Sequence, residues 1–447
     1  MNMNASTSWL TIGARVVLVA AVFIASAIVG AATAATAAAA ADGPPAAVSR
    51  AWDRATLHVA ATGADSGNCR TLDTACATIG YALSRASAGD RVVLEPGTYL
   101  ERDNPGGGPN VIAPRLTGVT LAADSAHGAT AANTVIDAGG VNQGVLVQAD
   151  GATVEGLTVE NAQLEGILAE PIPTSWPTDA TAPAANISHV TIENDVVERN
   201  DKAYDSTASN PLAACPASPT DPDDCGEGIH LLAATYSRVI GNRVSSNVGG
   251  ILVSDGGLAP TSVGPAAHNV IEYNASTDNA FDCGITLPSH DPRAVSTQGQ
   301  PEPSMAGVYD NLVAHNVAEG NGGAGLLDAT PYPGTGAYDN TFTRNYVADN
   351  GEGGFQLHSH APQQDVSGNH VIGNYFATNN TAGDTDSGDL SSTGIILYSA
   401  VVPVTGTLVL GNVINGDTFG VWKTSNVTAT GLRFNLFLNV DADVFTQ

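Results

Sequence analysis

The sequence predicts an all-β solenoid, a parallel β-helix, and three observations predict it. Four segments share one asparagine spacing: "NVIEYNASTDN" from Asn269, "NLVAHNVAEGN" from Asn311, "NTFTRNYVADN" from Asn340 and "NHVIGNYFATN" from Asn369. Each carries Asn at its first, sixth and eleventh positions, and the last three begin 29 residues apart. Similarity at a fixed period of this size is the signature of stacked repeats. Within each unit, short runs of Val, Ile, Leu and Phe alternate with polar residues, the period of a strand with one buried face. Gly and Asn punctuate the runs, and both tolerate the left-handed backbone a tight corner needs. Two or three such strands per repeat stack as coils about 4.8 Å apart.

Taken in order, residues 1–41 read as a secretory signal peptide. One positive charge, Arg15, precedes an apolar run from Val16 to Thr33, and an alanine tract offers several small-residue cleavage sites. The run is also long enough to span a bilayer, so an uncleaved N-terminal anchor is the alternative. Either way the remainder is expected outside the cell, secreted or at the cell surface. Residues 42–56 read as a linker, 57–130 as an N-terminal cap with the first coils, and 131–447 as the repeats with loop insertions.

The ends of a solenoid expose sheet edges that need covers. "TIGYALSRASAGD", from Thr78, reads as a short capping helix with Ile79, Leu83 and Ala86 on one face, Thr78 as N-cap and Gly89 as its stop. It leads into the strand "RVVLEPGTY". Weaker copies extend the repeat in both directions, as "GATVEGLTVENAQLEGILAE" from Gly151, "GNRVSSNVGGILVSD" from Gly241 and "GNVINGDTFGVW" from Gly411. The asparagines read as structural, hydrogen-bonding from coil to coil as a ladder at one corner. Small inward residues pack a narrow core, which explains an aromatic content of only 5%.

Charge restricts the partners. Forty-four acidic residues against 16 basic ones give a formal charge of −28, a field that repels phosphate and excludes nucleic acid as a partner. Acidic polysaccharides are disfavoured too, since the chain has only two lysines, Lys202 and Lys423; neutral glycans suit this balance better. Five cysteines in an exported chain imply disulfides with one left over. Cys69 with Cys76 forms a small loop, Cys215 with Cys225 staples a Pro- and Asp-rich insertion, and Cys283 remains, with Cys283 to Cys215 or Cys225 as the alternative.

The stretch "CATIGYALSRASAGDRVVLEPGTY" resembles the opening of right-handed β-helix proteins of the pectin-lyase-like superfamily, and the Asn- and Gly-punctuated coils resemble their body. The resemblance implies a right-handed helix over nearly the whole mature chain. It leaves activity open, because that superfamily holds lyases, hydrolases, epimerases and non-catalytic surface proteins. Its uronate lyases use a basic residue as Brønsted base; here Lys202 lies in an irregular insertion, and Arg243 and Arg344 sit at corners beside asparagines. "DDCGEGIHL" from Asp223 is similar to the Asp-Asp element of polygalacturonases, but neither a Gly-His-Gly nor an Arg-Ile-Lys follows it.

The repeat itself serves as a ruler for a site. With the Gly that opens each alternation as zero, at Gly228, Gly250, Gly284, Gly325, Gly354, Gly394 and Gly420, positions one and three face the core and positions two and four face solvent. Two positions before zero stand Asp282 and Glu352, and the coil between them has Gly323 there. Stacking puts the two acids roughly 9–10 Å apart at the backbone, and leaning side chains bring them to the spacing of about 6.5–9.5 Å that lets an inverting glycosidase hold a water. "GITLPSHDP" from Gly284 and "GFQLHSHAP" from Gly354 add His290, His358 and His360 on the same coils. Asp282 and Glu352 are therefore expected as acid and base, with these histidines positioning sugar hydroxyls, and His230, Asp291 and Tyr398 as substrate contacts. Asp328, at an inward position, is either buried and hydrogen-bonded or the mark of an irregular coil. The competing reading of all these groups is turn formers and solvated surface.

Insertions at about residues 170–185, 201–226, 291–307 and 383–393 are expected to project from one face, the usual binding face of a solenoid. "DTDSGDL", from Asp384, sets carboxylates at Asp384, Asp386 and Asp389 around a Gly, either a Ca²⁺ loop or a plain acidic turn. A Zn²⁺ site from the three histidines lacks a supporting ligand spacing. The sequence thus points to a carbohydrate-active β-helix that binds a polysaccharide or glycoconjugate and cleaves it as hydrolase or lyase. A non-catalytic surface or adhesion protein is the competing class.

Overall fold

The computed structural model describes residues 54–172, 184–202, 226–256 and 264–447. The expected signal peptide, all but the end of the linker, and Cys215 with Cys225 lie outside the described residues. Those described wind as a right-handed parallel β-helix with three long sheets. The first has 12 strands, from Thr56–Val59 to Val427–Thr430; the second has 11, from Gly97–Leu100 to Leu436–Leu438; the third has 11, from Asn110–Ile112 to Ala442–Thr446. Five two-residue strands, from Ile187–Ser188 to Ala337–Tyr338, form a short fourth sheet over the middle coils. Residues 57–130 are continuous with the repeats, since Thr120–Ala123 pairs with Arg91–Leu94 on one side and Thr153–Glu155 on the other.

Register follows the apolar pattern and fills the core in columns. Ile271, Val313, Phe342, Val371 and Val409 stack in the first sheet. Ile285, Leu326, Phe355, Ile395 and Val421 stack in the third, and every one of these side chains is buried. Each contributes about 1.5–3 kcal/mol of apolar burial. A one-residue slip would turn a whole column outward, so the alternation fixes the register.

The asparagines build three ladders rather than one. Positions one, six and eleven of the repeat fall at three successive corners, and each position hydrogen-bonds to its own copy on the next coil. The Asn316 backbone N–H and Nδ2 donate to Asn345 Oδ1 at 2.9 and 3.0 Å, while Nδ2 also donates to Ile271 O at 2.8 Å. The pattern repeats at Asn311 and at Asn321. Nor are the ladder asparagines the left-handed corner residues. That conformation falls on the residue just before them, with φ of 58° at Tyr273, 58° at His315 and 56° at Arg344. The preceding residue absorbs the bend and points outward, so the amide can point along the stack. The ladder bonds offset the roughly 1–2 kcal/mol that each non-glycine left-handed residue costs.

At the N-terminal end the expected helix spans Ile79–Arg85, with Thr78 accepting a hydrogen bond from Tyr81 N at 3.3 Å and with Ile79 and Leu83 buried. It stops earlier than expected, at an extended Ala86, because the Arg115 guanidinium takes the carbonyls of Leu83 and Ala86 at 2.8 and 2.7 Å. Gly89, with φ +79°, shapes the next turn instead. Cys69 and Cys76 form the expected disulfide, and Cys283 is a buried free thiol.

Candidate functional site

Three consecutive strands of the third sheet, Ile285–Pro288, Leu326–Thr330 and Phe355–Ser359, present their outward residues as a grid. Thr286, Leu327 and Gln356 share one register position, and Pro288, Ala329 and His358 share the next outward one. His290, Pro331 and His360 follow in sequence, and all nine line one groove of about 400 Å³. Phe281, Asp282, Cys283, Gly323 and Glu352 complete one wall, and Asp386 contributes from the loop after the next corner. Among the described residues lining it there is no Lys or Arg.

The wall is a stacked turn. Gly323 N donates to Asp282 O at 3.1 Å and Glu352 N to Gly323 O at 3.0 Å, so the three residues sit one above another. A Cβ on Gly323 would lie 3.0 Å from Asp282 C, Cys283 N and Cys283 Sγ, so the dent between the acids requires glycine. Asp282 Oδ1 accepts the Cys283 N–H at 2.6 Å. Burial, reinforced by the nearby Asp384 charge, pushes the Glu352 carboxyl up to about 7. The Gln356 amide nitrogen is enclosed beside it, outside hydrogen-bond geometry. Burial likewise raises the Cys283 thiol far above its ordinary range, so it is inert as a nucleophile.

His358 and His360 border the next coil, where Tyr398 stands beside them but does not line the groove. Tyr398 pairs in register with His358, and its ring centroid lies 5.5 Å from those of both His358 and His360. His358 Nε2 is 3.0 Å from Asp384 Oδ2, off the line of a ring N–H bond. Burial alone would raise Asp384, but the contact and charge of His358, with the Ser387 hydroxyl at 2.6 Å, hold it at about 2. Burial and the neighbouring His358 lower His360, which favours its neutral form. His290 Nδ1 faces Gly256 O at 3.3 Å; a carbonyl only accepts, so Nδ1 donates there.

Several expected site residues fall elsewhere. Asp291 is fully buried and grips Arg293 through Nε and Nη2 at 3.0 and 2.6 Å, so it shapes the loop and is withheld from any substrate. The neighbouring buried Asp255 anchors the same loop by accepting from His290 N and Gly307 N at 2.8 and 2.7 Å. His230 lies on the same face two coils upstream of Thr286, bonded to Ser254 Oγ at 2.9 Å and outside the groove. Asp328 is buried in the core, accepts from Asn340 Nδ2 at 3.4 Å, and is held protonated by burial.

The acidic turn does not gather its three carboxylates. Asp384 accepts from the N–H groups of Asp386 and Ser387, and Asp389 from Thr393 Oγ1 and Ser391 N, so both are committed to the loop's own fold. Only Asp386 turns to the groove, where one donor atom each of His358, His360 and Asp386 lie within 4.8 Å of one another. Two imidazoles and a carboxylate are not the oxygen set Ca²⁺ takes. Thr286 and Gln356 are groove residues the sequence reading does not name, although the outward position two of the ruler marks both.

No protein-family model matches the chain, and no curated protein matches it in sequence. Solved structures are similar to it at low identity. The A-module of the mannuronan C-5 epimerase AlgE4 of Azotobacter vinelandii is 15% identical over 80% of this chain and 91% of its own, with a TM-score of 0.48. The pectate lyase Pel9A is 14% identical over 87% of this chain and 78% of its own, with a TM-score of 0.43. The GH136 lacto-N-biosidase of Eubacterium ramulus is 13% identical over 88% of this chain and 68% of its own, with a TM-score of 0.41.

Proposed function

We propose that the groove binds a neutral polysaccharide or glycoconjugate outside the cell and cleaves a glycosidic bond in it. The observation that carries this reading is Glu352, a carboxyl whose pKa is raised to about 7 in the wall of an open groove, in the same backbone column as Asp282 with Gly323 between them. A carboxyl that still holds its proton about half the time at neutral pH is suited to protonating a leaving oxygen. Asp282, two coils and about 9.6 Å away along the backbone stack, is the partner assigned to activate water, a spacing nearer that of inverting than of retaining carboxyl pairs. His290, His358 and Gln356 on the floor supply hydrogen bonds to sugar hydroxyls. Among the described residues the lining holds no Lys or Arg, which fits a neutral chain, since a uronate would meet Asp282 and Asp386 without a counter-charge.

One observation favours a second reading. His360, lowered toward its neutral form, stands beside Tyr398, a base and acid pair that would serve β-elimination. Incubating the protein with neutral and uronic glycans, and following reducing ends together with the ultraviolet absorbance of unsaturated products, separates the two. Reducing ends without unsaturation support hydrolysis and unsaturated products support elimination. Binding without either product makes the protein a non-catalytic carbohydrate binder.

A further inference from the structure

Far from the groove, where the capping segment meets the first coils, the outer face of the first sheet gathers two imidazoles and two carboxylates. We propose that His58, Glu95 and Asp124, with His127 beside them as a fourth ligand drawn in from its turn, form a structural Zn²⁺ site that pins the N-terminal strand to the coils behind it. His58 lies on strand Thr56–Val59 and pairs with Val93, which pairs with Ala122. Glu95 and Asp124 stand two residues beyond Val93 and Ala122, so the pleat directs all of them to one face. His127 joins from the turn Ser125–His127.

Donor atoms of His58, Glu95 and Asp124 lie within 4.8 Å of one another, and His127 approaches the two carboxylates from the side. His58 Nδ1 is 3.4 Å from Asp124 Oδ2 and 3.9 Å from Glu95 Oε1, and His127 Nδ1 is 2.8 and 3.7 Å from the same two oxygens. Ligands on a tetrahedral Zn²⁺, bonded at about 2.0–2.1 Å, are about 3.3 Å apart, a value these distances bracket. His58 Nδ1 and Glu95 Oε1 are enclosed and make no hydrogen bond, an unusual state for buried polar atoms unless something else meets them. The set of two imidazoles and two carboxylates suits Zn²⁺, whereas Ca²⁺ prefers oxygen alone. The residues come from three successive strands of one sheet edge, so an ion there would tie the cap to the solenoid as the Cys69–Cys76 disulfide ties its loop.

The test uses the full chain, stripped with a chelator, loaded with Zn²⁺, desalted, and measured for bound zinc and for its thermal midpoint. The Glu95→Gln/His127→Gln variant is compared with wild type, and His360→Asn controls for the groove histidines. The proposal expects wild type and His360→Asn to retain an equivalent of zinc that the double variant lacks, with a midpoint raised by Zn²⁺ only where that equivalent is present. If the double variant does not fold, the near-isosteric Glu95→Gln alone is measured, with at least a tenfold weaker zinc affinity expected. Equal zinc retention in the folded variant and wild type, or none in wild type, overturns the proposal.

Discussion

Replacing Glu352 with Gln tests whether the groove holds an acid in its protonated form. The displacement of its carboxyl from an ordinary 4.5 to about 7 corresponds to roughly 3 kcal/mol, at about 1.4 kcal/mol per pH unit. The sign follows from proton binding. Between pH 4.5 and 7 the unfolded carboxyl is ionised while the native one keeps its proton, so native stability falls as pH rises through this window and levels off above it. Gln carries no charge to desolvate, so Glu352→Gln should match wild type below pH 4.5 and exceed it by up to roughly 3 kcal/mol at pH 8, a ceiling because the side chain is partly exposed. Urea denaturation of both proteins from pH 4 to 9 measures the difference. Parallel stability curves across that range would refute the assignment of a buried, raised carboxyl.

Other changes probe the frame around it. Gly323→Ala places a methyl 3.0 Å from Cys283 Sγ and two backbone atoms; it should cost about 1–3 kcal/mol and lower kcat/KM about tenfold or more by shifting Asp282, read from denaturation and glycan turnover. Asn345→Ala strips the acceptor from Asn316 N and Nδ2 and the donor from Val313 O, and should lower stability by about 3 kcal/mol in urea titrations. Asp291→Asn uncouples the buried Arg293, and should destabilise by about 3 kcal/mol while raising KM more than it lowers kcat, since it loosens the loop behind His290.

Much of this architecture was legible because a solenoid repeats its physics. Period-two alternation alone placed Ile285, Leu326 and Phe355 inward and Thr286, Leu327 and Gln356 outward. It also put Asp282, Gly323 and Glu352 in one column, since equal coil positions stack. Beyond the strand the ruler fails, because a corner or loop residue takes its direction from its hydrogen bonds. Asp291 was a groove candidate by position, yet an Arg two residues on draws it inward. Asp384, Asp386 and Asp389 are equivalent in a list of carboxylates, but His358, Ser387 and Thr393 commit two of them and leave the third to the groove. The single expected ladder became three because the spacing of five between asparagines equals one short strand plus its corner. The cluster at His58 was silent in sequence, its members lying on three different coils.

The most direct test of the central claim is the rate of glycan cleavage by Asp282→Asn and Glu352→Gln, each shown by circular dichroism to keep its β-structure. With Asp282 and Glu352 as base and acid, each variant should lose about 10²–10⁴-fold in kcat, and the wild-type rate should fall above pH 7 as Glu352 ionises. Wild-type turnover in both folded variants, with an unchanged pH profile, would contradict the account.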